Sequence, residues 1–163
     1  MPEAVTPAAQ PAEAPARVLR KFRLVFNAVR THFQRVEKRV GLGGAQLWAL
    51  AIVRAQPGIG VSALARAMDV QQSTASNLVK ALVGAGLLEA GRTGADRRAV
   101  QLRVRAEGTR LLRRAPGPYA GVLPEALARL DATTLERLDE DLQALLGVLH
   151  TDRRDAGRPL APM

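Results

Sequence analysis

The chain has 163 residues, a length that suits one domain around one buried core. It is 47% hydrophobic and 24% charged, which excludes a wholly disordered chain. A 3% aromatic content leaves Leu, Val and Ala to build the core, and that favours helices. The formal net charge of +9 points to a polyanionic partner, nucleic acid or an anionic membrane surface, although an Arg-rich soluble protein would show the same balance. Cysteine is absent, which excludes disulfides, zinc–thiolate sites and thiol redox sensing. With only His32 and His150 as histidines, no metal site is expected. No apolar run approaches membrane-spanning length, and the N-terminus lacks a secretory pattern. A cytoplasmic protein with no membrane partner is expected.

Residues 1–16 are rich in Ala and Pro and read as a disordered tail. The first helix is predicted from about Arg17 to Val40, with Val18, Phe22, Val25, Phe26, Val29, Phe33, Val36 and Val40 on one face and Gly41 at its C-cap. A second follows over Gly44 to Ala55, ended by Pro57-Gly58. A third, short helix covers Val61 to Met68, and a fourth Gln72 to Ala85. Two short strands come next, Leu87 to Ala90 and Ala99 to Val104; the second alternates Val100, Leu102 and Val104 with Gln101 and Arg103. A fifth helix starts near Glu107, and Pro116-Gly117-Pro118 should kink or split it near Ala115. The last helix runs from about Ala132 to His150, with Asp131 as N-cap. Residues 151–163 read as a second tail.

The segment from Val61 to Leu82 has a helix-turn-helix pattern. Leu64 is apolar and Ala65 small where two helices cross closely, Met68 and Val70 bracket the turn, and Ala75 and Leu78 complete the inner face. Asp69 takes the turn position where glycine is usual, and Asp tolerates a left-handed backbone better than most residues. The fourth helix carries an apolar stripe, Ala75, Leu78, Val79 and Leu82. A polar stripe of Ser73, Ser76, Asn77 and Lys80 runs beside it, with Thr74 next to that. Hydroxyls and Lys can contact phosphates, and Asn can pair with adenine in the major groove. No carboxylate interrupts this stripe. The alternative is an ordinary solvated face. Between the strands, the loop Gly91 to Arg98 presents Arg92, Arg97 and Arg98, with Asp96 placed to organise them. Arginines of this kind suit a narrow minor groove, though Gly-Arg loops also serve solubility alone.

On these residues the sequence resembles the MarR (multiple antibiotic resistance regulator) family over about Leu19 to Leu149. The resemblance is carried by Gln46-Leu47-Trp48, Val61 to Ala65, Gln72 to Val79, Gly86-Leu87-Leu88, Asp96-Arg97-Arg98 and Arg105-Ala106-Glu107-Gly108. It implies a mostly α fold with a small β-hairpin wing: a winged helix-turn-helix at about 44–105 and dimerisation helices at about 17–40 and 107–150. It implies a minor-groove role for Arg98, steadied by Asp96. The DNA-contacting set becomes Ser62, Gln72, Ser73, Thr74, Ser76, Asn77, Lys80, Arg92, Arg97 and Arg98. Gly43-Gly44, where the family usually has a capping Thr, and the Pro116-Gly117-Pro118 break depart from the pattern.

Leu135, Leu138, Leu142, Leu145 and Leu149 alternate spacings of three and four, a seam that buries against another helix. That helix can belong to a second copy or be the first helix of the same chain. A two-fold homodimer would read a pseudo-palindromic operator. The resemblance further implies an effector pocket for aromatic acids or phenols, with Arg30, His32, Trp48 and Tyr119 as candidate lining residues. Trp48 and Tyr119 can equally fill core, and His32 can be solvated. No catalytic set, phosphate loop or cofactor motif is present, so a sequence-specific DNA-binding regulator, a ligand-released repressor, is expected rather than an enzyme. The competing expectation is a winged helix used for protein–protein contact without DNA.

Overall fold

The computed structural model describes residues 13–92 and 100–149, with Arg92 described by its backbone alone. The helices are α1 (Glu13–Val40), α2 (Gly44–Ala55), α3 (Val61–Ala67), α4 (Gln72–Gly84), α5 (Ala106–Arg114), α6 (Val122–Leu127) and α7 (Ala132–Leu149). The strands are β1 (Leu88–Arg92) and β2 (Val100–Val104), between α4 and α5. The chain is thus mostly helical with one antiparallel hairpin, as the sequence predicts. No helix among the described residues is long and apolar enough to cross a membrane.

Two boundaries differ from expectation. Helix α1 takes in Glu13 to Ala16, which the sequence reading gave to a disordered tail. Pro15 is the reason for both: it breaks a helix interior, but in the first turn its missing N–H has no partner to lose. Glu13 and Arg17, one turn apart, add an exposed ion pair at 3.8 Å. Beyond Pro118 the structure has one helix more than predicted, α6, with Pro124 again in the first turn. The tail at residues 1–12, His150 and the tail at 151–163 lie outside the described residues.

The core is built around the winged-helix segment. Leu47, Leu50 and Val53 of α2, Leu64 of α3, Leu78 and Leu82 of α4, Leu88 of β1, Leu102 of β2 and Leu112 of α5 are fully buried. Each such side chain contributes about 1.5–3 kcal/mol by leaving water. Helix α1 joins this core through Val29, Phe33 and Val36. The hairpin is registered with Leu88 opposite Val104 and Arg92 opposite Val100. Its second strand also pairs outward: Leu102 N–H donates to the Ile59 carbonyl at 3.0 Å, and Gly58 N–H donates to the Leu102 carbonyl at 2.8 Å. The segment before α3 therefore acts as a short third strand and ties the wing to the helix-turn-helix.

The helix ends are set locally. Gly41 has φ +69° and closes α1 by donating to the Glu37 carbonyl. Gln46 reaches back to accept from Gly43 N–H at 3.1 Å, so the missing capping Thr is replaced in part by a side chain of the first turn. Asp131 caps α7 as predicted, accepting from Thr134 N–H at 2.9 Å and from its hydroxyl at 2.8 Å. These bonds hold the Asp131 carboxyl below the usual carboxylate range. The cap is thus intact at neutral pH and is lost as pH falls through that lowered value.

Gly108 is fixed by packing. A Cβ there would lie 2.5 Å from the Leu87 carbonyl oxygen and 2.8 Å from Val104 Cγ1. The first atom is backbone, so the helix and hairpin would have to separate. Gly108→Ala is expected to destabilise the chain by about 1–3 kcal/mol, although Ala is the better helix former. Urea denaturation measures this; an unchanged or raised midpoint would contradict the close approach.

Candidate nucleic-acid interface

The angle between α3 and α4 is set at Asp69. Its φ is +52°, and it is the one non-glycine residue among those described with a positive φ. Asp69 N–H donates to the Arg66 carbonyl at 3.1 Å and Val70 N–H to the Ala65 carbonyl at 3.0 Å. Together they form a complete left-handed helix stop, with the half-buried Val70 folded back on the buried Ala65 end of α3. The same stop recurs at the end of α4. There Gly86, at φ +71°, donates to Val83 and Leu87 donates to Leu82, directing the chain into β1.

Helix α4 divides by face. Ala75, Leu78, Val79 and Leu82 are buried against α2 and α3. Gln72, Ser73, Asn77 and Lys80 are exposed, as is Ser62 on α3, while Thr74 and Ser76 are half-buried. The Ser76 hydroxyl donates to the Gln72 carbonyl of its own helix at 2.8 Å, so of the stripe it is the group least free to donate to a phosphate. The outward face holds one ammonium, amides and hydroxyls, with no carboxylate. Such a surface can donate to phosphate oxygens and read base edges without repulsion. The hairpin springs from the end of this helix, and its strands carry the chain toward the wing tip. Asp96, Arg97, Arg98 and the Arg92 side chain lie outside the described residues.

The four expected effector residues are brought together only in part. His32 is buried on α1, with Nε2 3.0 Å from the Pro118 carbonyl. Because a carbonyl only accepts, that nitrogen carries the proton. Tyr119, the next residue, donates its hydroxyl to the Leu112 carbonyl at 3.0 Å, and the Arg54 guanidinium stands 5.6 Å over its ring. His32 and Tyr119 thus meet at one turn, each with its polar group engaged by backbone. Trp48 is half-buried and packs against the core. Arg30 is exposed on α1, with Asn27 of its own helix 3.5 Å away. Two sites escaped sequence reasoning. One is the Arg54–Tyr119 stack, whose partners no local pattern connects. The other is an open cleft of about 530 Å³ where the last turn of α1 meets α5, lined by Arg39, Val40, Glu107, Arg110, Leu111 and Arg114. The spacing of Arg110 and Arg114, one turn apart, was the available signal for it.

The leucine seam of α7 does not pack on α1 of its own chain. Leu135, Leu142, Leu145 and Leu149 are exposed and Leu138 is half-buried. On α1, Val18, Leu19, Leu24, Val25 and Phe26 are likewise exposed. The stripe predicted along that helix enters the core only from Val29 onward.

The Asp69 turn yields a direct test. A β-branched residue in the left-handed region costs about 1–2 kcal/mol, so Asp69→Val is expected to lower stability by that amount while Asp69→Gly holds or raises it. Thermal unfolding of both variants checks the sign. Equal loss in the two would show that the Asp69 side chain, rather than its backbone angle, matters.

The family model of the MarR family matches residues 40–99, from the end of α1 to just before β2. No curated protein matches the sequence. Among solved structures, the chain is similar to Sco3205, a MarR family transcriptional regulator from Streptomyces coelicolor solved in complex with DNA. The identity is 18% and the TM-score 0.60, covering 93% of this chain and 97% of that one. It is similar to the PcaV transcriptional regulator of Streptomyces coelicolor, solved with its natural ligand, at 23% identity and TM-score 0.52, covering 87% and 98%. It is also similar to the transcriptional regulator BldR from Sulfolobus solfataricus, at 21% identity and TM-score 0.53, covering 85% and 99%. At these identities the likeness establishes a shared fold. The chain thus matches the MarR family model over residues 40–99 and shares the fold of MarR regulators along most of its length.

Proposed function

We propose that the chain is a sequence-specific double-stranded DNA-binding transcriptional regulator that acts as a homodimer. We read it as a repressor released by a small aromatic or phenolic ligand. The observation that carries the DNA reading is the exposed, carboxylate-free face of α4, where Gln72, Ser73, Asn77 and Lys80 stand out from a fully packed inner stripe. The net charge of +9 and the DNA complex of the similar Streptomyces regulator support it. In this reading α4 enters the major groove. Asn77 reads a base edge, Lys80 and the hydroxyls hold phosphates, and Arg98 enters the minor groove with Asp96 steadying the wing.

The dimer rests on the uncovered apolar faces of α1 and α7, since soluble monomers seldom leave such surface in water. The leucines at 135, 138, 142, 145 and 149 form its seam. The ligand reading rests on the turn where His32 and Tyr119 meet, with Trp48 and Arg30 on the flanking helices. The ligand-bound Streptomyces neighbour lends it weight.

The test is a titration of wild type and three variants against the chain's own promoter and a random duplex. Arg98→Ala is expected to weaken promoter binding by about 1–3 kcal/mol per half-site, and Asn77→Ala to relax discrimination between the duplexes. Lys80→Ala is expected to weaken both duplexes alike, with a shallower salt dependence. Wild-type affinity that ignores salt and duplex sequence would overturn the DNA reading and leave a protein-interaction module.

A further inference from the structure

The cleft between α1 and α5 is not part of the DNA-reading surface. Helix α5 packs on α1, α2 and β2, whereas α4 packs on α2, α3 and β1, so α2 separates the two. Its wall is unusual in charge. Arg39 projects from the last turn of α1, and Arg110 and Arg114 lie one turn apart on α5, so three guanidinium groups face one opening with Glu107 the single carboxylate, a net +2. Arg110 is already paired with Glu107 on the same helix. Arg39 and Arg114 have no carboxylate within ion-pair distance among the described residues. Val40 and Leu111, both half-buried, form the apolar part of the lining. The volume of about 530 Å³ falls in the range of small-molecule sites.

Three like charges gathered around one cavity repel each other, and an anion bridging them removes that repulsion. Guanidinium groups hold carboxylate or phosphate oxygens through paired, charge-assisted hydrogen bonds. Two of the three have no carboxylate partner among the described residues, so the matching guest carries two negative charges. A phenol or a singly charged aromatic acid leaves half of this charge unmet. We propose that the α1–α5 cleft binds a dianionic small molecule, a phosphate monoester or a dicarboxylate, at a site separate from His32 and Tyr119. Arg39 and Arg114 grip the anion, Arg110 shares its charge between Glu107 and the guest, and Val40 and Leu111 face the guest's carbon skeleton. Because the cleft is open, the attraction is strongest at low ionic strength.

Calorimetric titration of the full chain without DNA tests this, so its outcome is independent of the DNA reading. The probes are phenyl phosphate and phthalate as dianions, benzoate as a monoanion and phenol as the neutral ring. At least one dianion is expected to bind about tenfold or more tighter than benzoate. It should lose about tenfold or more in Arg39→Gln/Arg114→Gln. The tighter of the two dianions identifies the head group. Glu107→Gln, which removes the opposing charge, is expected to tighten the same dianion, a gain that no folding defect would mimic. Dianions that bind no better than benzoate, or equally well to the double variant, would overturn the proposal, as would weaker binding in Glu107→Gln.

Discussion

Helix α2 has polar side chains only at Gln46 and Arg54, so it cannot lie on a surface and has to be covered on nearly every side. Five elements cover it: α1, α3, α4, α5 and β2. Its two polar side chains are dealt with at the ends, Gln46 turned back on Gly43 N–H and Arg54 laid over the Tyr119 ring. The rest of the structure depends on this constraint. The buried stripe of α4 meets α2, which turns the opposite, carboxylate-free stripe outward. Helix α5 is pressed so close that position 108 admits no side chain. The reading face and the helices that leave for the proposed dimer are thus referenced to one apolar rod.

The two ends of the chain show the reverse condition. The first half of α1 and most of α7 carry leucines, valines and a phenylalanine that stay exposed among the described residues. A winged helix with a complete core and helical arms without one is a division of labour. The lobe is satisfied by its own sequence, while the arms are satisfied by a second copy in the proposed assembly. Stability and operator spacing then share a cause, because the surface that buries the arms also sets the distance between two α4 helices. The turn holding His32 against the Pro118 carbonyl lies where arm and lobe join.

Much of this was legible in the sequence wherever the cause is local. Helical spacing located α2 and α4, period two located β2, and the residue type at Asp69 foretold a left-handed turn that the φ of +52° bears out. The rule about proline misled where position outweighed identity. Pro15 and Pro124 sit in first turns, which have no N–H partner to lose, so Glu13 to Ala16 belong to α1 rather than to a tail, and α6 is a helix that the sequence pattern does not announce. Long-range pairings left no local trace. Nothing near His32 announces a carbonyl 86 residues away, and nothing near Arg39 announces Arg110 and Arg114. The leucine seam was legible as a seam, but periodicity is blind to which helix it meets. In the structure Leu135, Leu142, Leu145 and Leu149 stay exposed.

Hydroxyl-radical footprinting of the chain on its own promoter tests the central account most directly, because it reads the α4 face and the two-fold arrangement together. The account predicts two equivalent protected patches on one face of the duplex, with centres about one helical turn, roughly 10 bp, or a multiple of it apart. Flanking minor-groove protection should appear where the wings reach. A single protected patch, or protection spread evenly along any duplex offered, would contradict it.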